Sequence, residues 1–144
     1  GLMIVGSGSL ENDLKQAIAS KNYSDRIFLT GDVEHKIVLH LIKKADILLR
    51  TTKFDGDAIA VREALFLDTP VIATDNRMRP EGVYLIPMRD ANALVEAVEI
   101  LAKNSDGKKF EKPDDKTNIT KVLDVYREIY KRQKFRQTEK KELI

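Results

Sequence analysis

Thr51-Thr52-Lys53-Phe54-Asp55-Gly56-Asp57-Ala58-Ile59-Ala60-Val61-Arg62-Glu63-Ala64-Leu65, with Asp68-Thr69-Pro70-Val71-Ile72-Ala73-Thr74 shortly after it, is the stretch on which the fold turns. Ahead of it, Ile47 to Arg50 is a short apolar run of strand character. That strand enters an acidic loop containing one glycine. A segment of helical period follows from about Ala58 to Leu67, and the chain returns as a second apolar, β-branched run from Pro70 to Thr74. Strand, loop, helix and strand in this order form a parallel crossover unit, and such crossovers are right-handed almost without exception.

The same alternation continues in both directions. Strands are expected at Leu2 to Val5, Arg26 to Leu29 and Val83 to Ile86, and helices at Leu10 to Ser20, His35 to Lys44 and Asn92 to Lys103. Repeated βα units imply an α/β fold, a doubly wound Rossmann-like parallel sheet with helices on both faces. Ligands on such sheets bind beyond the carboxyl ends of the strands. That rule points to the loops at Gly6-Ser7-Gly8-Ser9, Gly31-Asp32-Val33, Thr51 to Asp57 and Asp75 to Gly82.

The domain is expected over residues 1–103. Residues 104–116, rich in Lys, Asp, Gly and Pro, read as a flexible linker, and 117–144 as an amphipathic helix ending in a basic tail. In that helix Ile119, Val122, Leu123, Tyr126, Ile129 and Tyr130 recur at three and four residues, where the tyrosines read as packing residues. The segment from Lys131 to Lys141 is expected to fray.

Composition narrows the function classes. A hydrophobic fraction of 42% and a charged fraction of 33% belong to an ordinary globular chain, and no apolar run approaches the roughly 20 residues of a membrane span. The opening GLMIVGSGSL reads as a buried strand rather than a secretion signal, and the expected location is the cytoplasm, with peripheral association at the inner membrane face as an option. The absence of cysteine excludes disulfides, thiolate metal sites and cysteine nucleophiles. Residues 1–102 carry 12 basic and 15 acidic side chains and residues 103–144 carry 13 and 8, so the basic excess lies in the tail. Mixed acids and the lack of interleaved aromatics there argue for a solvated helix face and against nucleic acid.

Two constellations could carry chemistry. Gly6-Ser7-Gly8 follows a strand and opens a helix, a context that suits phosphate, yet Glu11 stands where a third glycine would complete a dinucleotide fingerprint. A purely structural turn and a phosphate cradle both fit. In the second, Gly56 and Ala58 let a ligand approach the backbone, and the free N–H groups at the helix start favour an anion. Asp55 and Glu63, repelled by phosphate, are better used as acceptors for sugar or ribose hydroxyls. Two alternatives stand beside this reading. Asp55 or Asp57 could be a helix N-cap with Glu63 a solvated residue, or Asp55-Gly56-Asp57 could be a metal-binding Asp-x-Asp. His35, without a second ligand nearby, reads as a surface residue, and His40 as a structural one.

Asp55 to Thr74 resembles the donor-site segment of the retaining, glycogen-synthase-like GT-B glycosyltransferases of family 4, with its Glu-x7-Glu, Ala-Leu and Pro-Val-Ile-Ala pattern. Met3-Ile4-Val5-Gly6-Ser7-Gly8, Ile27-Phe28-Leu29-Thr30-Gly31 and Ala45-Asp46 extend the likeness over about residues 2–103. The resemblance implies a domain that binds a nucleoside-diphosphate sugar. It assigns Glu63 to the ribose and Asp55 to the transferred sugar, with Asp standing where Glu is usual. Ala58 and Ile59 match backbone contacts to the diphosphate, Gly31, Asp32 and Val33 match the base-contacting loop, and Arg79 lies in the next donor-side loop. Gly6, Gly8, Gly56 and Asp57 complete the expected binding set. The resemblance further implies no metal or other cofactor, because helix dipoles and basic side chains balance the leaving diphosphate. The family's acceptor domain, and the Arg and Lys that neutralise its diphosphate, come from segments ahead of the Met3-Ile4-Val5 strand. The chain is therefore expected to bind donor without transferring sugar by itself. A sugar, lipid-linked or polysaccharide acceptor would engage the other domain. The rival expectation is a non-catalytic nucleotide-sugar or partner-binding module, in which a homodimer could cover a free sheet edge. A flavodoxin-like or dinucleotide-binding domain is disfavoured by the incomplete glycine fingerprint.

Overall fold

A computed structural model of the chain describes residues 1–104 together with Leu123, Arg127 and Glu128. The elements run β1 (Leu2–Ile4), α1 (Glu11–Ala19), a 3-10 turn (Ser24–Arg26), β2 (Ile27–Leu29), α2 (His35–Lys44), β3 (Leu48–Arg50), α3 (Ile59–Phe66), β4 (Val71–Thr74), β5 (Tyr84–Ile86) and α4 (Ala91–Asn104). The expected strands and helices are present in the expected order, and every strand pairing is parallel. α4 starts at Ala91 because Asp90 Oδ1 accepts the Ala93 N–H at 2.9 Å, satisfying one of the donors a helix start leaves open.

The chain divides into two units, Gly1–Phe110 and Glu111–Ile144. Within the second, Leu123, Arg127 and Glu128 are helical. The expected linker, the remainder of the last helix and the basic tail lie outside the described residues.

β4 is the reason the first unit has a core. All four of its residues are buried, and strand alternation sends them to opposite faces. Val71 and Ala73 pack with Ile42 of α2 and with Ala58, Val61 and Ala64 at and within α3. Ile72 packs with Ile86, Ala97 and Leu101, under α4. A strand covered by helices on both sides needs apolar residues at every position, which is why Val71 to Thr74 reads as a continuous run rather than an alternating one. Thr69 Oγ1 donates to Ile42 O at 2.8 Å, so the turn into β4 also holds the end of α2.

One expectation is modified. A single doubly wound sheet was anticipated, whereas the described strands form two ladders, β1-β2 and β3-β4-β5. Beyond β1-β2 an isolated antiparallel bridge joins Gly6 to Gly31. The burial differs just as sharply: no residue of β1, α1 or β2 is fully buried, and Leu2, Met3, Val5, Leu14 and Phe28 are exposed. Amides in β1 and β2 are therefore expected to exchange with deuterium well ahead of those in β4, because opening them uncovers little further apolar surface. Equal protection of Met3 and Ile72 would show that the two ladders open as one unit.

Candidate functional site

The site forms where β3 and β4 end. Arg50, the last residue of β3, donates Nε–H to Asp55 Oδ2 at 2.7 Å. Thr52 Oγ1 donates to the same oxygen at 2.9 Å, and Arg79 Nη1 reaches it at 3.3 Å. These bonds, led by the one from Arg50, hold the Asp55 carboxyl below its ordinary 3.8, at about 2. Asp55 is thus a carboxylate, an acceptor only, throughout the range in which proteins work.

The loop carrying Asp55 is strapped from the β4 side. Thr74 Oγ1 donates to Thr52 O at 2.6 Å, and Asn76 Nδ2 donates to Asp55 O at 2.6 Å and to Gly56 O at 3.1 Å. Arg79 adds bonds to Thr74 O, Gly56 O and Thr52 Oγ1 at 3.2 to 3.3 Å, with its side chain only 1% exposed. Between them the chain reverses tightly: the Arg77 N–H bonds Asp75 Oδ1, the Met78 N–H bonds Asn76 Oδ1, and Arg77 takes a φ of 63°. This reversal carries Arg79 back beneath the loop.

Neither acid of Asp55-Gly56-Asp57 caps α3, which has no side-chain cap at all. The N-cap alternative is thereby overturned, because both carboxylates are engaged by arginines instead. Asp57 Oδ2 pairs with Arg62, and Asp57 Oδ1 is buried with no hydrogen-bond partner among the described residues. The Asp-x-Asp pair is likewise split between Arg50 and Arg79 on one side and Arg62 on the other. No group of three or more His, Asp or Glu side chains suited to a metal occurs among the described residues.

Glu63 lies on α3, and its Oε1 is 2.6 Å from Nε2 of His35, the first residue of α2. The contact links Glu63 to the helix that follows Gly31-Asp32-Val33. That loop is joined in turn to the first one: the Gly6 N–H bonds Gly31 O at 2.9 Å, and Ser7 Oγ donates to Asp32 Oδ2 at 2.8 Å. Gly6 and Gly31 have φ of 118° and 64°, values that side chains resist, so both positions call for glycine. Gly8 closes the entry to α1 by accepting the Glu11 N–H at 3.1 Å. Ala58 is buried and Ile59 exposed.

Asp55, Gly56, Asp57, Glu63 and Arg79 stand out in the sequence, whereas Arg50, Thr52, Thr74 and Asn76 do not; His35 lies at the surface as expected, and only its contact with Glu63 is new. For Arg50 a signal was available: a charged residue closing an apolar strand at the ligand end. Asn76 and Thr74 carried none, since their role depends on two loops meeting.

Because the Asp55 carboxyl is depressed, it contributes stability that is present above about pH 4 and is lost as pH falls through about 2. Asp55→Asn is expected to flatten acid unfolding over that window. An identical pH dependence in the variant would mean that Asp55 is not the responsible group.

A parallel α/β unit with polar and charged side chains gathered at the carboxyl ends of its strands defines a Rossmann-like domain. The sequence profile of the family Glycosyl transferases group 1 matches residues 1–104, and the chain belongs to that family. It is similar to the amylovoran biosynthesis glycosyltransferase AmsK of Erwinia amylovora, 33% identical over 103 residues that cover 63% of this chain and 25% of that protein. It is also similar to the alpha-D-kanosaminyltransferase of Streptomyces kanamyceticus, 23% identical over 105 residues, 69% of this chain and 27% of that enzyme. An uncharacterized glycosyltransferase of Methanocaldococcus jannaschii is 30% identical over 82 residues, 57% of this chain and 20% of that protein. The match thus spans about a quarter of the length of these relatives. Among the described residues no helix is long and apolar enough to cross a membrane.

Proposed function

We propose that this chain is the donor-binding half of a GT-B glycosyltransferase and binds a nucleoside-diphosphate sugar at the carboxyl ends of β3 and β4. The observation that carries this reading is the ordered acidic loop opening into an uncapped α3, with Asp55 held on one side and Glu63 on the other. Uncapped backbone N–H groups at Ala58 and Ile59 suit the diphosphate. Glu63 accepts from the ribose hydroxyls through the oxygen that His35 leaves free. Every bond to the Asp55 carboxylate among the described residues falls on Oδ2, so Oδ1 remains to accept from the transferred sugar. Gly31, Asp32 and Val33 meet the base.

In the intact enzyme the reaction is hexosyl transfer with retention at the anomeric carbon, to a sugar, lipid-linked or polysaccharide acceptor held by another domain. Stereochemistry and acceptor class follow the resemblance. The diphosphate departs as helix N-termini and basic side chains absorb its charge, without a metal. Calorimetric titration with UDP-, GDP- and ADP-sugars tests this reading. Saturable binding that survives EDTA is expected. Binding that appears only with added divalent cation would replace the scheme by a metal-dependent one, and failure of every donor would favour a domain kept for its partner.

A further inference from the structure

We propose that Arg50 is an anion-binding residue of this donor site, anchored through Nε by Asp55 and offering its two terminal amino groups to the diphosphate. The inference rests on the donor-site reading above and adds a residue to it.

Three observations meet at Arg50. The first is its position. Leu49 packs against the cluster that contains Ile72 and Ile86, while Leu48 packs against the one that contains Ile42, Val61 and Ala64. Alternation therefore puts Arg50 on the Leu48 face, beneath which α3 begins at buried Ala58, and at the carboxyl end of the strand. Its backbone partner across the ladder is Ala73, which belongs to the same face.

The second is how its nitrogens are used. Nε is committed to Asp55 Oδ2, but among the described residues no partner falls on either Nη, and the side chain is 40% exposed. Arg79, bound to the same carboxylate oxygen, is the contrast. It is 1% exposed, and Nε, Nη1 and Nη2 all donate to protein acceptors. One arginine on Asp55 is consumed by the fold, whereas the other keeps its fork.

The third is charge. A single carboxylate at Asp55 faces two guanidinium groups, which leaves one positive charge in excess at that point. A guanidinium fixed at Nε presents its remaining N–H groups in one plane, the arrangement that meets two phosphate oxygens at once. Preorganisation of this kind lowers the ordering cost of binding, and a free Lys at the same position would not have it.

The test is titration of the full 144-residue chain, followed by amide NMR shifts, with UDP, GDP and ADP and with the matching nucleosides. Arg50→Gln is expected to weaken diphosphate binding on the order of tenfold to a hundredfold while nucleoside affinity is kept, and to make diphosphate binding less sensitive to salt. Arg50→Lys should fall between, because charge remains while the anchored fork is lost. Equal diphosphate affinity in Arg50→Gln and wild type overturns the proposal. So does a parallel loss of nucleoside and diphosphate binding, which would mark Arg50 as structural. If Arg50→Gln does not fold, Arg50→Lys decides by the same comparison. Wild-type protein that takes none of the diphosphates overturns the donor-site reading and this role with it.

Discussion

Arg79→Met is expected to lower the unfolding free energy by about 3 kcal/mol, the low end for removing one partner of a buried ion pair. The side chain is 1% exposed and spans Asp55, Gly56 and Thr52 of the acidic loop and Thr74 at the end of β4, so its loss removes the donor that joins the loop to the strand. Asp55 keeps Arg50 and Thr52, which is why the cost stays at that end. Arg79→Lys should recover only part of it, because one ammonium cannot reach four acceptors lying in different directions. Urea unfolding of both variants, combined with Asp55→Asn in a double-mutant cycle, measures this directly. The two substitutions should be less than additive, since they share one contact. Additive effects, or a change within about 0.5 kcal/mol for Arg79→Met, would mean that the strap does not hold the loop.

Glu63→Gln is expected to cost nucleoside-diphosphate-sugar affinity on the order of tenfold to a hundredfold, as for removing charged hydrogen bonds to hydroxyls. The side chain is largely covered, with His35 on one carboxylate oxygen, so Gln can keep the shape and lose the charge. Comparing ribose with 2′-deoxyribose donors sharpens the measurement. In wild type the deoxy donor should bind more weakly, and in Glu63→Gln that difference should shrink. A variant that binds both donors like wild type would remove Glu63 from the ribose. His35→Ala, which frees Oε1, should perturb donor binding less than Glu63→Gln does.

These two residues illustrate unequal legibility. Glu63 stands out along the chain through the family pattern that Asp55 to Thr74 resembles, since its spacing from the acidic loop by itself leaves a solvated helix residue open. Arg79 could be named as a basic residue in a donor-side loop, but not as a buried strap. Nothing in Arg77-Met78-Arg79 says which arginine turns inward; the positive φ at Arg77 and the side-chain bonds of Asp75 and Asn76 settle it. Asp57 shows the same limit from the other side. As an acid immediately before a helix it resembles a cap, yet its carboxylate goes to Arg62, one turn into the helix it precedes.

What the amino-acid order determined by itself was local or periodic. The alternation of β-branched runs with helical stretches, the glycines at Gly6 and Gly31, and the spacing from Asp55 to Glu63 are all properties of neighbours in the chain, where propensity and pattern act directly. The tertiary structure decided which distant groups meet. Arg50 and Arg79 converge on one oxygen of Asp55, His35 meets Glu63 across two helices, and the described strands pair in two ladders, of which β3-β4-β5 carries the buried clusters. A hydrogen bond or a buried contact is made by distance in space, and the free energy of such contacts is not assigned to any residue until folding has chosen its neighbours.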